Sequence, residues 1–250
     1  MREHFESTGN WLFRRRSYLP IVCLAVIIVS LRHFTFPYGS HRLDQIWEIF
    51  CLTISFFGFA IRVLTVGHVP KGTSGRNTRK QKAYVLNTTG MYSLVRHPLY
   101  LGNFVVWLGI SLFARIWWLT LILLLSYWLY YERIIFAEEE FLKRQFEREF
   151  TDWAEQTPAF LPRFSSWKKP LLPFSIRMVV KREHPTILLI IGLFFIIEQA
   201  ASLITTGSLE VDLMWIVLLG IGFAQYLLVS ILKKYTRLLQ EPQNKCELIV

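Results

Sequence analysis

Six apolar runs, each near the length that crosses a lipid bilayer, leave this chain little alternative to folding inside one. They cover Tyr18 to Phe36, Leu43 to Val66, Leu99 to Phe113, Ile116 to Tyr131, Thr186 to Ile204 and Leu213 to Leu232. A helical span needs about 20 residues of this kind, and a backbone in hydrocarbon has to satisfy its own hydrogen bonds. The runs therefore predict an all-α fold, a polytopic transmembrane helical bundle of about six spans. A hydrophobic content of 53% with 16% aromatic residues agrees with that reading. The third and fourth runs share 33 residues around Arg115, little for two crossings at about 1.5 Å per residue, so a tilted or partly re-entrant hairpin is expected there.

The formal net charge of +10 is distributed as a topology signal. With six spans, Arg2, Arg14 to Arg16, the loop from Lys71 to Arg96, the segment from Arg133 to Arg182 and the tail from Lys233 to Arg237 fall on one side. Arg32, Arg42, Arg115, Glu210 and Asp212 fall on the other, which orients both termini and the two long loops toward the cytoplasm. No long soluble stretch offers a nucleic-acid-reading module, so no nucleic-acid partner is expected. Cys23, Cys51 and Cys246 are scattered and suggest neither a disulfide framework nor a zinc site, and no metal is expected. Cys246 stands one residue too far from the end for a prenylation box. Arg14, Arg15 and Arg16 precede a run without a small-residue cleavage site, so the start reads as an uncleaved span. The expected divisions are 1–83, membrane spans with a basic loop; 84–164, a core carrying the chemistry; and 165–250, a connector with two further spans.

The chemistry-bearing residues cluster in that core. Arg96-His97-Pro98 opens the third span, followed by Tyr100 and Gly102, so a cation, an imidazole, a phenol and a close-approach glycine meet at one membrane edge. Taken singly, Arg96 also reads as a snorkelling anchor, and Pro98 as a helix initiator. Glu138 and Glu139 follow the fourth span, with Arg133 five residues before Glu138; Glu140 extends the run, which also fits a solvated helix face. From Ala137 to Trp153, Phe141, Leu142, Phe146, Phe150 and Trp153 form the stripe of an amphipathic helix. Pro158, Pro162, Pro170 and Pro173 then break the chain into an irregular connector.

The ordered set Gly90, Tyr92, Arg96, His97, Pro98, Tyr100, Gly102, Arg133, Glu138, Glu139, Leu142, Phe146, Pro158 and Pro162 resembles the isoprenylcysteine carboxyl methyltransferase-like and phospholipid methyltransferase superfamily, in its bacterial lipid-modifying branch. The resemblance covers about residues 84 to 162. It implies S-adenosylmethionine as cofactor, enclosed on the cytoplasmic side by the 84–102 segment and by an amphipathic helix closing the site. By the same resemblance Leu86, Gly90, Tyr92, His97, Tyr100, Gly102 and Glu138 would bind the cofactor, and Arg96, Arg133 and Glu139 would be catalytic. This sequence departs from the family pattern at Glu147, where a glycine is usual, and at Phe150 and Trp153, which replace tyrosines. Tyr84 takes a position that is commonly polar or histidine.

Methyl transfer is an in-line displacement, so positioning in a dry pocket carries most of the acceleration. A phosphate or carboxylate acceptor is already anionic at neutral pH, whereas an amine needs a base. An acidic lipid head group is therefore the expected acceptor, held by Arg96 or Arg133. The loop from Lys71 to Lys80 joins glycines, hydroxyls and four cations, and Lys71, Arg76 and Arg79 would bind a phosphate there; it reads equally as a positive-inside loop on anionic lipid. Lipid A phosphate is the favoured acceptor, since some bacterial enzymes resembling this family methylate it. Alternatives are carboxyl methylation of isoprenylcysteine, N-methylation of phosphatidylethanolamine, a sterol reductase-like reaction with reduced nicotinamide, and a small transporter or scaffold with Arg32, Arg62, Glu48 and Glu198 as pathway residues. The expected partner is a membrane lipid and the expected location the bacterial inner membrane, with the site facing the cytoplasm.

Overall fold

A computed structural model describes residues 2–33, 41–70, 83–209, 211–236 and 239. Among them every regular element is helical. α1 (Arg2–Arg15) leads through a 3-10 turn into α2 (Leu19–Ser30), followed by α3 (His41–Gly67) and the single turn α4 (Met91–Leu94). α5 (Pro98–Phe113), α6 (Trp117–Gln156), α7 (Ile176–Thr206) and α8 (Leu213–Tyr235) follow among the described residues. α3, α6, α7 and α8 are long and apolar enough to cross a membrane, and α5 is a shorter apolar helix. The protein is thus a multi-pass helical membrane protein. Lys71, Arg76, Arg79 and Cys246 lie outside the described residues.

Three elements differ from the expected boundaries. The fourth span and the amphipathic helix are one element, because Glu132-Arg133-Ile134-Ile135-Phe136-Ala137 contains no glycine or proline to stop a helix. α7 begins ten residues before its apolar run: Ser175 caps it by accepting from the Met178 N–H at 3.2 Å, and the helix passes through Pro185. α1 precedes the first span and lies along the charged half of α6. There Phe5 meets Phe136 edge to face at 5.9 Å, Glu6 pairs with Arg144, and a Cβ on Gly9 would strike the Arg133 carbonyl.

The bundle closes along a glycine seam between α3 and α5. A Cβ on Gly58 would stand 2.6 Å from the Gly102 carbonyl, and one on Gly109 would stand 2.5 Å from the Cys51 carbonyl. Small residues let the two backbones touch where lipid offers no hydrophobic drive for association. Ser55 uses the approach to donate to the Val106 carbonyl at 2.9 Å. Next to the seam, Arg62 forms a two-pronged pair with Glu183 of α7, at 3.0 and 2.8 Å, and donates to Asn103 of α5 at 2.5 Å. Thr186 donates to the same carboxylate at 2.9 Å. This network ties three helices together, with the carboxylate almost fully buried.

At the other end of α5 the hairpin turns through Arg115, whose φ of 57° is left-handed. Its guanidinium pairs with Asp44 and stands 3.7 Å from Glu48, both on α3, while Trp47 donates to the Leu112 carbonyl at 3.0 Å. Between the two ends, Phe113, Phe194 and Trp215 interlock as aromatic partners, with Phe113 to Phe194 centroids at 4.8 Å.

Substituting Gly109 by Ala should lower the thermal midpoint in detergent, at a cost of about 1–3 kcal/mol, because its Cβ meets backbone that cannot move aside. Gly192→Ala on α7, where a Cβ would meet nothing within 4 Å, should leave the midpoint unchanged or raise it slightly. Equal losses in the two variants would contradict the seam.

Candidate active site

Pro98 sets the local geometry. It occupies the first turn of α5, and a residue preceding proline is pushed out of the helical region. Val95 is extended and His97 has φ −123° and ψ 62°, so Arg96 and His97 form an elbow whose side chains leave the helix axis. The His97 carbonyl accepts from the Tyr100 and Leu101 N–H groups, both at 3.1 Å, and starts the helix. Upstream, Gly90 has φ 61° and ψ −133°, a conformation open to glycine at little cost.

The connector after α6 straps this elbow in place. Arg96 N donates to the Pro158 carbonyl, Arg163 N to the Leu94 carbonyl and Gly90 N to the Lys168 carbonyl, each at 2.9 Å. The Ser93 hydroxyl donates to the Gly90 carbonyl at 2.7 Å and accepts from Lys168 N at 2.9 Å.

Opposite the elbow stand the carboxylates of α6. Glu139 Oε1 lies 2.9 Å from Arg96 Nε and 2.9 Å from His97 Nε2, and Glu138 Oε2 lies 3.7 Å from His97 Nδ1. Arg96 Nη1 also donates to the Ala154 carbonyl at 2.7 Å. Glu139 and Ala154 are fifteen positions apart, roughly 22 Å along a straight helix, more than one guanidinium can bridge. The break that brings them together is at Glu147, with φ 43° and ψ −110°. This is the position where the resembling family carries glycine, and the backbone here has a glycine's conformation on a glutamate.

Burial acts to raise the Glu139 carboxyl, but the His97 hydrogen bond and the Arg96 charge outweigh it and hold the group below its ordinary value. It therefore stands as an anion bound by two donors. Glu138 is the more accessible carboxylate, its side chain 31% exposed. Burial first, and then the neighbouring Glu138, push the Tyr92 phenol up, so it remains a proton donor. Tyr92 belongs to an apolar wall with Leu86, Phe150 and Trp153, and the Trp153 indole donates to the Tyr92 carbonyl at 3.2 Å.

The His97 ring stacks on Tyr100 at 5.7 Å, Tyr100 packs on Tyr131 at 4.8 Å, and Tyr131 stacks on Tyr127 at 4.2 Å. Those last two tyrosines line a cavity of about 110 Å³ with Trp128, Glu132, Ile135, Ala159 and Phe160, most of its wall apolar.

The structure thus gathers Arg96, His97, Tyr100, Glu138 and Glu139 into one cluster, with Leu86, Gly90 and Tyr92 beside it. Arg133 and Gly102 lie elsewhere. The Arg133 guanidinium sits 4.4 Å over the Phe5 ring of α1, and Gly102 faces Gly58 and the Arg62 stem within the seam. Sequence reasoning passed over Glu183 and Ala154. An ionisable residue within reach of an apolar run was the available signal for Glu183, whereas a backbone carbonyl such as Ala154 leaves none.

The donor set suits S-adenosylmethionine: an accessible carboxylate for its cationic part beside an aromatic and aliphatic wall for an adenine. Among the described residues no group of three or more His, Cys, Asp or Glu side chains is placed to hold a metal ion. Replacing Glu147 by Gly should raise the thermal midpoint by relieving about 1 kcal/mol of backbone strain, and Glu147→Val should lower it. The reverse order, read by scanning fluorimetry, would contradict the break.

The profile of the family described as phospholipid methyltransferase matches residues 72–149. The chain is 35% identical to the nickel-cobalt-cadmium resistance protein NccN of Alcaligenes xylosoxydans xylosoxydans, over 64% of this chain and 70% of that one. It is 34% identical to the cobalt-zinc-cadmium resistance protein CzcN of Cupriavidus metallidurans, over 64% and 69%. The probable protein-S-isoprenylcysteine O-methyltransferase of Oryza sativa subsp. indica is 30% identical over 56% of this chain and 74% of its own length. No solved structure matches the chain.

Proposed function

This chain belongs to the isoprenylcysteine and phospholipid methyltransferase superfamily of integral membrane methyltransferases, and we propose that it methylates an anionic oxygen on the head group of a membrane lipid. S-adenosylmethionine would supply the methyl group, which leaves its sulfonium sulfur as the new O–CH3 bond forms. A lipid phosphate of the lipid A kind is the favoured acceptor. The carboxylate of an isoprenylcysteine is the second reading, favoured by the name of the plant relative.

The observation that carries the reading is an imidazole already engaged inside the protein: His97 Nε2 stands 2.9 Å from the Glu139 carboxylate, which Arg96 pairs as well at 2.9 Å, while Glu138 lies 3.7 Å from Nδ1, beyond hydrogen-bond reach. An ammonium acceptor has to lose a proton before it attacks; a phosphate or carboxylate arrives ready. The Arg96–Glu139–His97 pairing then acts as a fixed frame, with Glu138 toward the cationic part of the cofactor and Tyr92 and Trp153 against its flat part. Alignment within that frame, closed by the strap between Pro158 and Lys168, provides the acceleration. We place the lipid's first methylenes in the apolar cavity beside Tyr131 and the reaction on the cytoplasmic face of a bacterial inner membrane.

Purified protein in nanodiscs should transfer label from methyl-tritiated S-adenosylmethionine to an added phosphatidic acid or lipid A but not to phosphatidylethanolamine. Arg96→Ala and Glu138→Ala should each lower that transfer by at least about 100-fold, the scale of losing a positioned charged partner, while remaining inserted and folded. Transfer to the amine lipid alone, or full activity in both variants, would overturn the assignment.

A further inference from the structure

The connector between α6 and α7 presents an apolar and basic face of its own. Leu161, Phe164 and Leu171 are each more than three-quarters exposed and Trp167 about half exposed, although all four lie between the membrane-crossing helices and not within them. Exposed apolar side chains on a span are covered by hydrocarbon, whereas a patch of this size on a connector calls for a partner. From Ala159 to Lys181 the sequence holds Arg163, Lys168, Lys169, Arg177 and Lys181 and no acidic residue, and all five cations are exposed.

Both ends of this face are fixed at the depth of the membrane edge. At the near end Phe160 packs edge to face on Phe104 of α5 at 5.4 Å and on Trp128 of α6 at 5.0 Å, two residues within apolar runs. At the far end Ser175 N donates to the Gly67 carbonyl at 2.8 Å, His68 Nδ1 lies 2.9 Å from the Leu172 carbonyl, and the Phe174 ring meets His68 edge to face at 5.3 Å. Gly67 ends α3 directly after its apolar run. Residues 161–171 therefore run between two points at the hydrocarbon boundary, the depth that aromatic rings and long basic side chains favour.

The same stretch holds the elbow. Arg163 N donates to the Leu94 carbonyl, and the Lys168 carbonyl accepts from Gly90 N. The backbones that secure the elbow thus carry two of the exposed cations. Charge selects the partner, because apolar side chains flanked by cations alone complement a bilayer surface rich in acidic lipid.

We propose that the face from Leu161 to Leu171 docks onto the acidic lipid surface of the bilayer in which the bundle sits, and that this seat steadies the elbow at Gly90 and Leu94. The apolar side chains enter the interface while Arg163, Lys168 and Lys169 pair with lipid phosphates. The contact requires no turnover at the site.

A fluorescent reporter of depth tests it. Full-length protein carrying Cys246→Ser would be labelled with bimane at Ser165→Cys, at Leu171→Cys or, as the water-facing control on α6, at Arg148→Cys, whose native side chain is 93% exposed. The parent protein labelled in parallel gives the background, and either connector position suffices if the other fails to insert. Nanodiscs would contain phosphatidylcholine alone or mixed with phosphatidylglycerol. In the acidic discs the reporters at 165 and 171 should shift to the blue and be quenched by nitroxide-labelled lipid, while iodide quenches only the reporter at 148. Lys168→Gln with Lys169→Gln should reduce the preference for acidic discs by about fivefold for each cation. Amide exchange at Gly90 and Arg163 should be slower in acidic than in neutral discs, and the double variant should remove that difference. Iodide quenching at 165 and 171 in acidic discs would overturn the docking, as would equal seating in the two kinds of disc. Exclusion of both quenchers would mean that protein covers the face, which contradicts a lipid partner. Seated reporters with unchanged amide exchange would overturn the hold on the elbow.

Discussion

One guanidinium bridges two turns of α6 that a straight helix would hold about 22 Å apart, and the candidate site is built around that bridge. Arg96 reaches Glu139 on one side of the break at Glu147 and the Ala154 carbonyl on the other. Bending α6 there turns Phe150 and Trp153 back onto Leu86 and Tyr92, so the charged cluster and the apolar wall come from one fold of one helix. The cost is a glutamate with φ 43°, and the strap between Pro158 and Lys168 holds the bend from outside. Strain kept at a site by its surroundings is the pattern expected where geometry serves chemistry.

The remainder of the bundle fixes where that elbow can be. Backbone contact at Gly58, Gly102 and Gly109 locks α5 onto α3 along most of its length, and the Arg62–Glu183 pair ties both to α7. A buried ion pair supports a structure only when its remaining hydrogen-bonding positions are filled, and Asn103 and Thr186 supply partners here. Arg115 with Asp44 does similar work at the far end of α5. The first residues of α5, which carry His97 and Tyr100, thereby start from a helix held at both ends.

The fold and the family were legible in the sequence for different reasons. Apolar length carries the helices, since lipid forbids other backbone, and an ordered spacing of Arg96, His97, Tyr100, Glu138 and Glu139 carries the resemblance. The geometry joining these five side chains was less legible. Nothing in the sequence announces that α6 runs without interruption from the membrane into the charged segment, because a helix that merely continues has no marker. Arg133 reads like a member of the cluster by its spacing, yet its guanidinium lies over Phe5 of a helix that apolar length does not flag. Gly102 reads as a place for a ligand to approach, and the approach is made by α3. The departure at Glu147 was visible as a residue substitution; that it marks a break in the helix needed the backbone.

The most direct test of the account is calorimetric titration of the wild-type protein in lipid nanodiscs with S-adenosylmethionine and, separately, with a reduced nicotinamide cofactor. Saturable binding of S-adenosylmethionine alone is the predicted result. Binding of the nicotinamide alone, or of neither, would contradict it.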